Sequence, residues 1–212
     1  MADKKFSIKE AITYGWETVK ANLGFLLAFV IVAALIQYIP ALFAQWTQKS
    51  APPLAFILKF VSWLMQMIIS MGFIRMGLKF YEGGKGEWSD LYSSYPKLLN
   101  YIVASLLYGL IVFAGTLLLI VPGIIWAIKF QFFGFFIVDK NLGPIEALKK
   151  SSELSKGNIS HLFLFGLAIT GVSLLGLLCF IVGLFVAIPV VLMASVFIYR
   201  KLDSQMGTVP VA

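Results

Sequence analysis

Residues 23–44 read LGFLLAFVIVAALIQYIPALFA, a run without one charged side chain. A helix needs about 20 predominantly apolar residues to cross the hydrocarbon core of a bilayer. Inside lipid, such a helix must satisfy its backbone amides with its own hydrogen bonds. The run is too long for the apolar region of a signal peptide and lacks a small-residue cleavage site. We therefore expect it to be a retained membrane span.

The composition of the whole chain also favours a membrane protein. Of its 212 residues, 60% are hydrophobic and 13% are charged, whereas roughly a quarter of the residues in soluble domains are charged. Five further apolar runs predict five more spans, at 54–80, 98–121, about 122–138, and two within 161–199 that divide near Gly183. Pro122 and Gly123 are expected to turn the chain between the third and fourth spans.

The predicted fold class is therefore all-α, a polytopic membrane bundle of six transmembrane helices with short interfacial amphipathic helices. We expect a single integral membrane domain over 1–204 and a flexible C-terminal tail over 205–212.

Basic side chains lie almost entirely on one side of these spans. Thirteen of the 17 lysines and arginines precede span one, follow span six, or lie between spans two and three or four and five. The loop between spans one and two contains only Lys49. By the positive-inside rule, the lysine-rich side and both termini are cytoplasmic. All ten acidic residues fall on that same side.

The chain contains an internal repeat at an offset of 136 residues. Nine of the 27 aligned pairs between 3–29 and 139–165 are identical, and six of these are charged residues or Asn. Each copy starts with a predicted amphipathic helix, at 7–20 and 143–156. A degenerate third copy is expected at 88–97. The predicted units, roughly 3–80, 86–138 and 139–200, each have two spans and are therefore parallel, with an axis along the membrane normal.

Helix-capping residues mark where these short helices begin. Ser7 with Glu10 forms a capping box, whereas Gly143 caps the second copy with Pro144 at its first helical position. Ser89 is the expected cap of the third copy. We expect the amphipathic helices to lie in the membrane interface.

One stretch carries a resemblance to a known family. It comprises PGIIWAIKF at 122–130, VD at 138–139 and LGPIEALK at 142–149, and continues through Ser151 to Asn158. It resembles six-span prokaryotic membrane proteins related to the glycerophosphodiester phosphodiesterase membrane domain and to YciC-like inner-membrane proteins. The resemblance implies this fold and a plasma-membrane location. It implies no activity, because the chemistry of the fused phosphodiesterases resides in a separate soluble barrel that these 212 residues do not include.

Three polar side chains within spans are candidate ligand contacts. Lys129 is expected near the middle of the bilayer, where a charge costs about 2.5–3.5 kcal/mol on insertion scales. Either it contacts an anion or lipid headgroup inside the bundle, together with Gln131, or it faces carbonyls and extends along its stem to the interface. Arg75 is more simply explained as an anchor that reaches lipid phosphates.

The lysines of the amphipathic helices are expected to contact lipid headgroups. They are Lys9, Lys20, Lys149, Lys150 and Lys156. Because lysines interleave with acids and flank spans, anionic inner-leaflet lipid is a simpler partner than nucleic acid, which we do not expect to bind. A protein partner is possible but unidentified. One histidine and one cysteine offer no metal site, and the sequence indicates neither catalytic residues nor a cofactor.

The pattern favours a non-enzymatic plasma-membrane protein that organises lipid or holds a partner protein at the inner leaflet. The alternative is a carrier or permease-like pathway for a lipid or small anion that uses Lys129 and Arg75. A membrane enzyme is a third hypothesis, disfavoured because catalysis needs converging titratable groups.

The charge asymmetry predicts the topology. Reporter tags fused at Met1 and at Ala212 should both report cytoplasmic locations, because the lysine-rich segments resist translocation. A cysteine introduced at Lys49 should react with a membrane-impermeant reagent added to intact cells. Labelling of either terminus from outside would contradict the orientation.

Overall fold

The computed structural model describes residues 6–178 and 182–206, and every regular element in those two stretches is helical. The helices are α1 (Ile8–Ala21), α2 (Leu23–Thr47), α3 (Pro52–Tyr81), α4 (Leu98–Leu118), α5 (Ile120–Phe130), α6 (Phe133–Lys140), α7 (Pro144–Ser155), α8 (Ile159–Leu178) and α9 (Val182–Met206). Two short 3₁₀ turns, Trp88–Leu91 and Tyr95–Lys97, make up the 88–97 segment. With α5 and α6 counted together, six helical stretches are long and apolar enough to cross a membrane. The predicted all-α bundle of six spans is confirmed.

Three helical hairpins form the bundle, and a short amphipathic element precedes each of them. α2 pairs with α3, α4 with α5 and α6, and α8 with α9. The preceding elements are α1, the 88–97 segment and α7. The two predicted amphipathic helices are thus confirmed as α1 and α7, and neither continues unbroken into its span. The boundaries of the repeat units stay a prediction.

The capping residues of α1 and α7 are those predicted from the sequence, but within the described residues only the Ser7 half of the predicted capping box forms. The Ser7 hydroxyl accepts a hydrogen bond from the Glu10 amide at 3.2 Å. Gly143 caps α7, and Pro144 occupies its first helical position.

The cap of the 88–97 segment differs from the prediction. Glu87 caps the first turn in place of Ser89, because the side chains of Glu87 and Asp90 each accept from the other's backbone amide. The Ser89 hydroxyl instead donates to Glu87 at 3.1 Å. The segment is therefore held by two carboxylates and not by a hydroxyl.

The chain turns between α4 and α5 at Leu119, and the prediction of a turn at Pro122 and Gly123 was wrong. Leu119 is the one extended residue between the two helices, with φ −164° and ψ 149°. Pro122 lies in the first turn of α5, where the N–H that proline lacks would have no partner in the helix. Gly123 allows α5 to approach α4, because a Cβ there would lie 2.9 Å from the Thr116 backbone.

The fourth span is broken between α5 and α6 at a position that no proline or glycine marks. The Phe132 amide donates to the Ser151 hydroxyl at 3.0 Å, and this hydroxyl donates to the Lys129 carbonyl at 3.1 Å. A side chain of α7 therefore provides hydrogen bonds that an unbroken helix would make within itself.

The two helices of the last hairpin divide close to the predicted point. α9 begins at Val182, next to Gly183, and the connecting residues 179–181 lie outside the described part. At its other end α9 continues to Met206, so Gln205 and Met206, which we expected in the tail, are helical. Residues 207–212 lie outside the described part.

Each amphipathic element contacts the second helix of the hairpin that precedes it. The 88–97 segment contacts α3, and α7 contacts α5 and α6. α1 has no preceding hairpin in the sequence and packs on α9, the second helix of the last one. The second unit thus contacts the first, the third contacts the second, and the first contacts the third, so the three units form a closed ring.

Small residues bring the backbones of this ring together. A Cβ on Gly15 of α1 would lie 2.5 Å from the Val190 carbonyl oxygen and 3.2 Å from the Ala194 nitrogen of α9. A Cβ on Gly72 of α3 would lie 2.6 Å from the Leu91 carbonyl oxygen. Such distances leave no room for a side chain, so both contacts require glycine.

α1 and α7 bury the same positions of the repeat. The buried residues Ala11, Gly15 and Val19 of α1 align with Ala147, Ser151 and Ser155 of α7, which are also buried. The aligned lysines Lys20 and Lys156 are both exposed. The two helices therefore turn equivalent faces toward the bundle.

The tightly packed core lies at the end of the bundle where the amphipathic elements sit. α6 is buried from Phe133 to Val138, and Tyr199 of α9 is fully buried beside it. The far ends of the second and third hairpins are exposed and apolar: Leu117 and Leu178 are each 77% exposed. An apolar surface of this kind suits lipid contact, whereas the opposite end is held together by packing between the helices of the chain.

Substitution of Gly15 by alanine tests the ring. Gly15→Ala should lower the stability by about 1–3 kcal/mol, because the methyl group overlaps the α9 backbone. Gly109→Ala is the matched control, since a Cβ at Gly109 meets nothing within 4 Å and alanine has the higher helix propensity. Thermal unfolding in detergent should show opposite shifts in melting temperature. Equal shifts in the two variants would contradict the predicted contact.

Candidate functional site

The ends of the three second helices are joined by one arginine. Arg200 of α9 donates from Nη1 to Asp139 Oδ2 at 3.1 Å and from Nη2 to Asp139 Oδ1 at 3.0 Å. Its guanidinium also bonds to Glu82, the residue that follows α3. The Tyr199 hydroxyl donates to Asp139 at 2.8 Å. Because Asp139 lies in α6, this network connects all three hairpins at the charged end of the bundle.

Further ion pairs surround this network. Lys140 pairs with Asp203 at 2.5 Å and so joins α6 to α9 a second time. Lys79 of α3 pairs with Asp90 at 3.2 Å and with Glu87 at the same distance. Lys79 and then Ser89 hold the pKa of Glu87 below its ordinary value, because both stabilise its charged form. These charges hold the fold together at this end.

The network could not be identified from sequence patterns. Asp139 and Arg200 are 61 positions apart, and each by itself is an ordinary charge flanking an apolar span. From the sequence, Asp139 is a repeat match and part of the stretch that resembles a known family, and Arg200 is one of the basic residues that predict the orientation. The repeat offered a weak signal, since Asp139 is one of the few charges that both copies share.

Lys129 lies beside the middle of the amphipathic helix α7. Its carbonyl accepts from Ser151, and its Nζ lies 5.8 Å from the centroid of the Phe130 ring. Within the described residues its ammonium makes no hydrogen bond or ion pair. If α7 lies in the membrane interface, Lys129 lies there too, so the expected mid-bilayer position and the interfacial position of α7 exclude each other.

Gln131 and Arg75 do not form one site with Lys129. The Gln131 amide donates to the Ile128 carbonyl at 3.0 Å, a bond within its own turn. Arg75 is exposed on α3 and close enough to Lys97 for mutual repulsion. In the described part of the chain, no hydrogen bond or ion pair connects either residue to Lys129.

The predicted interfacial lysines are mostly exposed. Lys9, Lys20, Lys149 and Lys156 all lie on the surface, and none of the four forms an ion pair within residues 6–178 and 182–206. Lys150 differs, since it pairs with Glu153 at 2.8 Å. That carboxylate raises the pKa of Lys150 above its ordinary value. Four of the five lysines are therefore available to external anions.

An apolar groove of about 610 Å³ lies between α5 and α8. Ile124, Ile125, Ile128 and Phe163 are among the residues that line it, and Gly157 and Ser160 lie at one end. Gly157 directly follows Lys156. The groove thus has an apolar wall, and the exposed Lys156 immediately precedes one of its lining residues in the chain. Sequence reasoning missed it, because the wall residues resemble any lipid-facing residues.

The fold and these contacts define the class: an all-α, multi-pass membrane protein with a charged, tightly packed end. The chain belongs to the family "Domain of unknown function (DUF7847)", which matches residues 95–209. This match covers the second and third hairpins, the groove, and both Asp139 and Arg200.

Similar curated proteins occur in mycobacteria. The chain is similar to Uncharacterized protein Rv2560 of Mycobacterium tuberculosis and Uncharacterized protein Mb2590 of Mycobacterium bovis, each 40% identical over 103 residues. The match covers 48% of this chain but 31% of each relative, so the chain corresponds to about a third of their length. No solved structure matches. The resemblance to the phosphodiesterase membrane domain and YciC-like proteins stays a prediction.

Ser151 is predicted to hold Lys129 and the break in the fourth span in place. Ser151→Ala should lower the stability by about 1–3 kcal/mol, because it leaves the buried Phe132 amide without a partner. The matched control is Ser152→Ala, since Ser152 is the next residue of α7 and is half-exposed. Thermal unfolding in detergent measures both. A Ser151→Ala variant as stable as the Ser152→Ala variant would contradict this role.

Proposed function

We propose that the protein is a non-enzymatic plasma-membrane protein with an accessory role, organising anionic lipid or holding a partner protein at the inner leaflet. The charges of the bundle support a structural role for the packed end. Three aspartates each form an ion pair with a basic side chain of another element: Asp139, Asp90 and Asp203. The exposed lysines of the two amphipathic helices, Lys9, Lys20, Lys149 and Lys156, form no ion pair within the described residues and are among the cations that face outward.

The α5–α8 groove is the observation that carries this proposal. Its wall is made of isoleucine and phenylalanine side chains, which favour an acyl chain over a polar solute. Lys156 precedes the turn at its mouth, where it would meet a lipid phosphate. The arrangement suits a lipid whose chain occupies the groove while its headgroup contacts the end of α7.

The groove favours the accessory role over the carrier alternative. A carrier that uses Lys129 and Arg75 would place both side chains along one pathway, yet neither residue lines the groove. Lys129 is instead fixed through its backbone to Ser151. Transport that depends on Lys129 would support the carrier; specific retention of lipid would support the accessory role.

A lysine-neutralised variant tests the lipid site. Lys149→Gln combined with Lys156→Gln should reduce binding of phosphatidylglycerol about fivefold per lysine at low salt, because each basic residue near the surface contributes about 1 kcal/mol. The measurement is native mass spectrometry of protein released from bilayers with equal phosphatidylglycerol and phosphatidylcholine.

The matched control makes the same change of charge elsewhere. Lys85→Gln with Lys201→Gln removes two exposed lysines of the same end, which are neither on an amphipathic helix nor at the groove. This control should retain most of the phosphatidylglycerol. Equal losses in the two variants would show a general charge effect and contradict a site at the groove. Ile125→Trp should reduce retention of both lipids, since it fills the groove.

A further inference from the structure

A second cavity lies at the other end of the bundle, between α2 and α3. It measures about 560 Å³, and six of its lining residues are polar: Gln37, Gln45, Gln48, Lys59, Ser62 and Gln66. On the α2 side, the polar residues extend from Gln37 to Gln48, the residue that follows the helix, over about 16 Å along the helix axis. With the predicted orientation, this polar cleft opens in the outer half of the membrane.

Three amide side chains of the polar cleft lack partners. Gln37, Gln45 and Gln66 make no side-chain hydrogen bond within the described part of the chain. Gln37 is half-buried, and Gln45 and Gln66 are exposed on the surface of the hairpin. Within a span such side chains face the membrane, and the lipid core offers polar groups no replacement for water. A polar ligand in the cleft would provide these amides with hydrogen-bond partners, which explains their presence within the spans.

The polar cleft is also positively charged. Lys59 bonds to the amide oxygen of Gln48, an uncharged partner. No acidic residue occurs between Asn22 and Tyr81, so nothing within this hairpin neutralises Lys59. A charge within a span is by default a functional feature, and an anionic group on the occupant would balance it.

A second copy of the chain is a poor occupant for the same reason. Symmetric pairing through this face would bring two Lys59 side chains toward one another with no acid on either hairpin. Like charges in a low-dielectric setting repel strongly. The charge therefore favours an anionic ligand over self-association.

We propose that the polar cleft binds an anionic, hydroxyl-bearing headgroup, with the phosphate at Lys59 and the hydroxyl groups bonded to the glutamine amides. Trp63 lines the same cleft and stacks on Phe60 with ring centroids 5.9 Å apart. A rigid aromatic wall of this kind suits the apolar face of a glycerol or sugar unit. The source is either a phospholipid such as phosphatidylglycerol or a free phosphate ester.

The test compares two lysines of the same hairpin. Lys59→Gln removes the charge of the polar cleft, whereas Lys49→Gln removes an exposed charge in the connecting turn that does not line the cleft. Each full-length protein is placed in phosphatidylcholine nanodiscs, with phosphatidylglycerol or free glycerol 3-phosphate as the probe. Tryptophan fluorescence and native mass spectrometry measure binding, and size-exclusion chromatography checks that each variant is folded.

We expect Lys59→Gln to lose at least fivefold in phosphatidylglycerol binding and Lys49→Gln to lose less than twofold. The same pattern with glycerol 3-phosphate alone would support a free ester as the source. Equal binding by the two variants would overturn the proposal. So would a wild-type dimer that Gln45→Leu with Gln66→Leu converts to a monomer without loss of lipid, since the polar cleft would then be a self-association face. Both lysine variants are also made in the Lys149→Gln, Lys156→Gln background, which weakens phosphatidylglycerol binding at the α5–α8 groove, so that failure at one site can be distinguished from failure at the other.

Discussion

The paired charges of Arg200 and Asp139 are the constraint on which the rest of the structure depends. Their side chains are 19% and 15% exposed. Removal of Arg200 would leave the largely buried Asp139 carboxylate without a cation, and removal of Asp139 would leave Arg200 with only the exposed Glu82. The pair, with Glu82, joins the ends of three hairpins that otherwise present apolar surfaces to lipid. Since lipid drives no hydrophobic association between helices, a bundle with exposed apolar ends needs such a polar clamp at the packed end.

Close contacts between helix backbones stabilise the bundle in addition to the Arg200–Asp139 pair. Gly15 and Ser151 are aligned positions of the repeat, yet each suits a different partner. Gly15 faces the continuous helix α9 at Val190 and Ala194, and it needs only to be small. Ser151 faces the break between α5 and α6 and bonds to the Phe132 amide and the Lys129 carbonyl. The second copy of the repeat therefore has serine where the first has glycine, because its partner helix is broken. This break places Lys129 beside α7.

Local signals predicted much of the fold, because apolar length and caps act over a few residues. The six spans, the Ser7 cap and the Gly143–Pro144 start follow from such signals. The break near Phe132 did not, since it depends on a contact with Ser151 that no proline or glycine marks. The turn at Leu119 was misplaced by three residues, because Pro122 and Gly123 begin α5 and do not form the turn. Site prediction was weaker for the same reason. The polar residues of α2 and α3 form one cleft only after the hairpin is aligned, and the partners of Arg200 lie on other elements.

The most direct test of this account is the coupling free energy between Asp139 and Arg200. A double-mutant cycle with Asp139→Asn and Arg200→Gln, measured by chemical unfolding in detergent, should give a coupling of about 2 kcal/mol or more. The same cycle with Glu82→Gln should give less than about 1 kcal/mol, because Glu82 is 60% exposed. Additive effects of Asp139→Asn and Arg200→Gln would contradict the claim that this pair clamps the three hairpins.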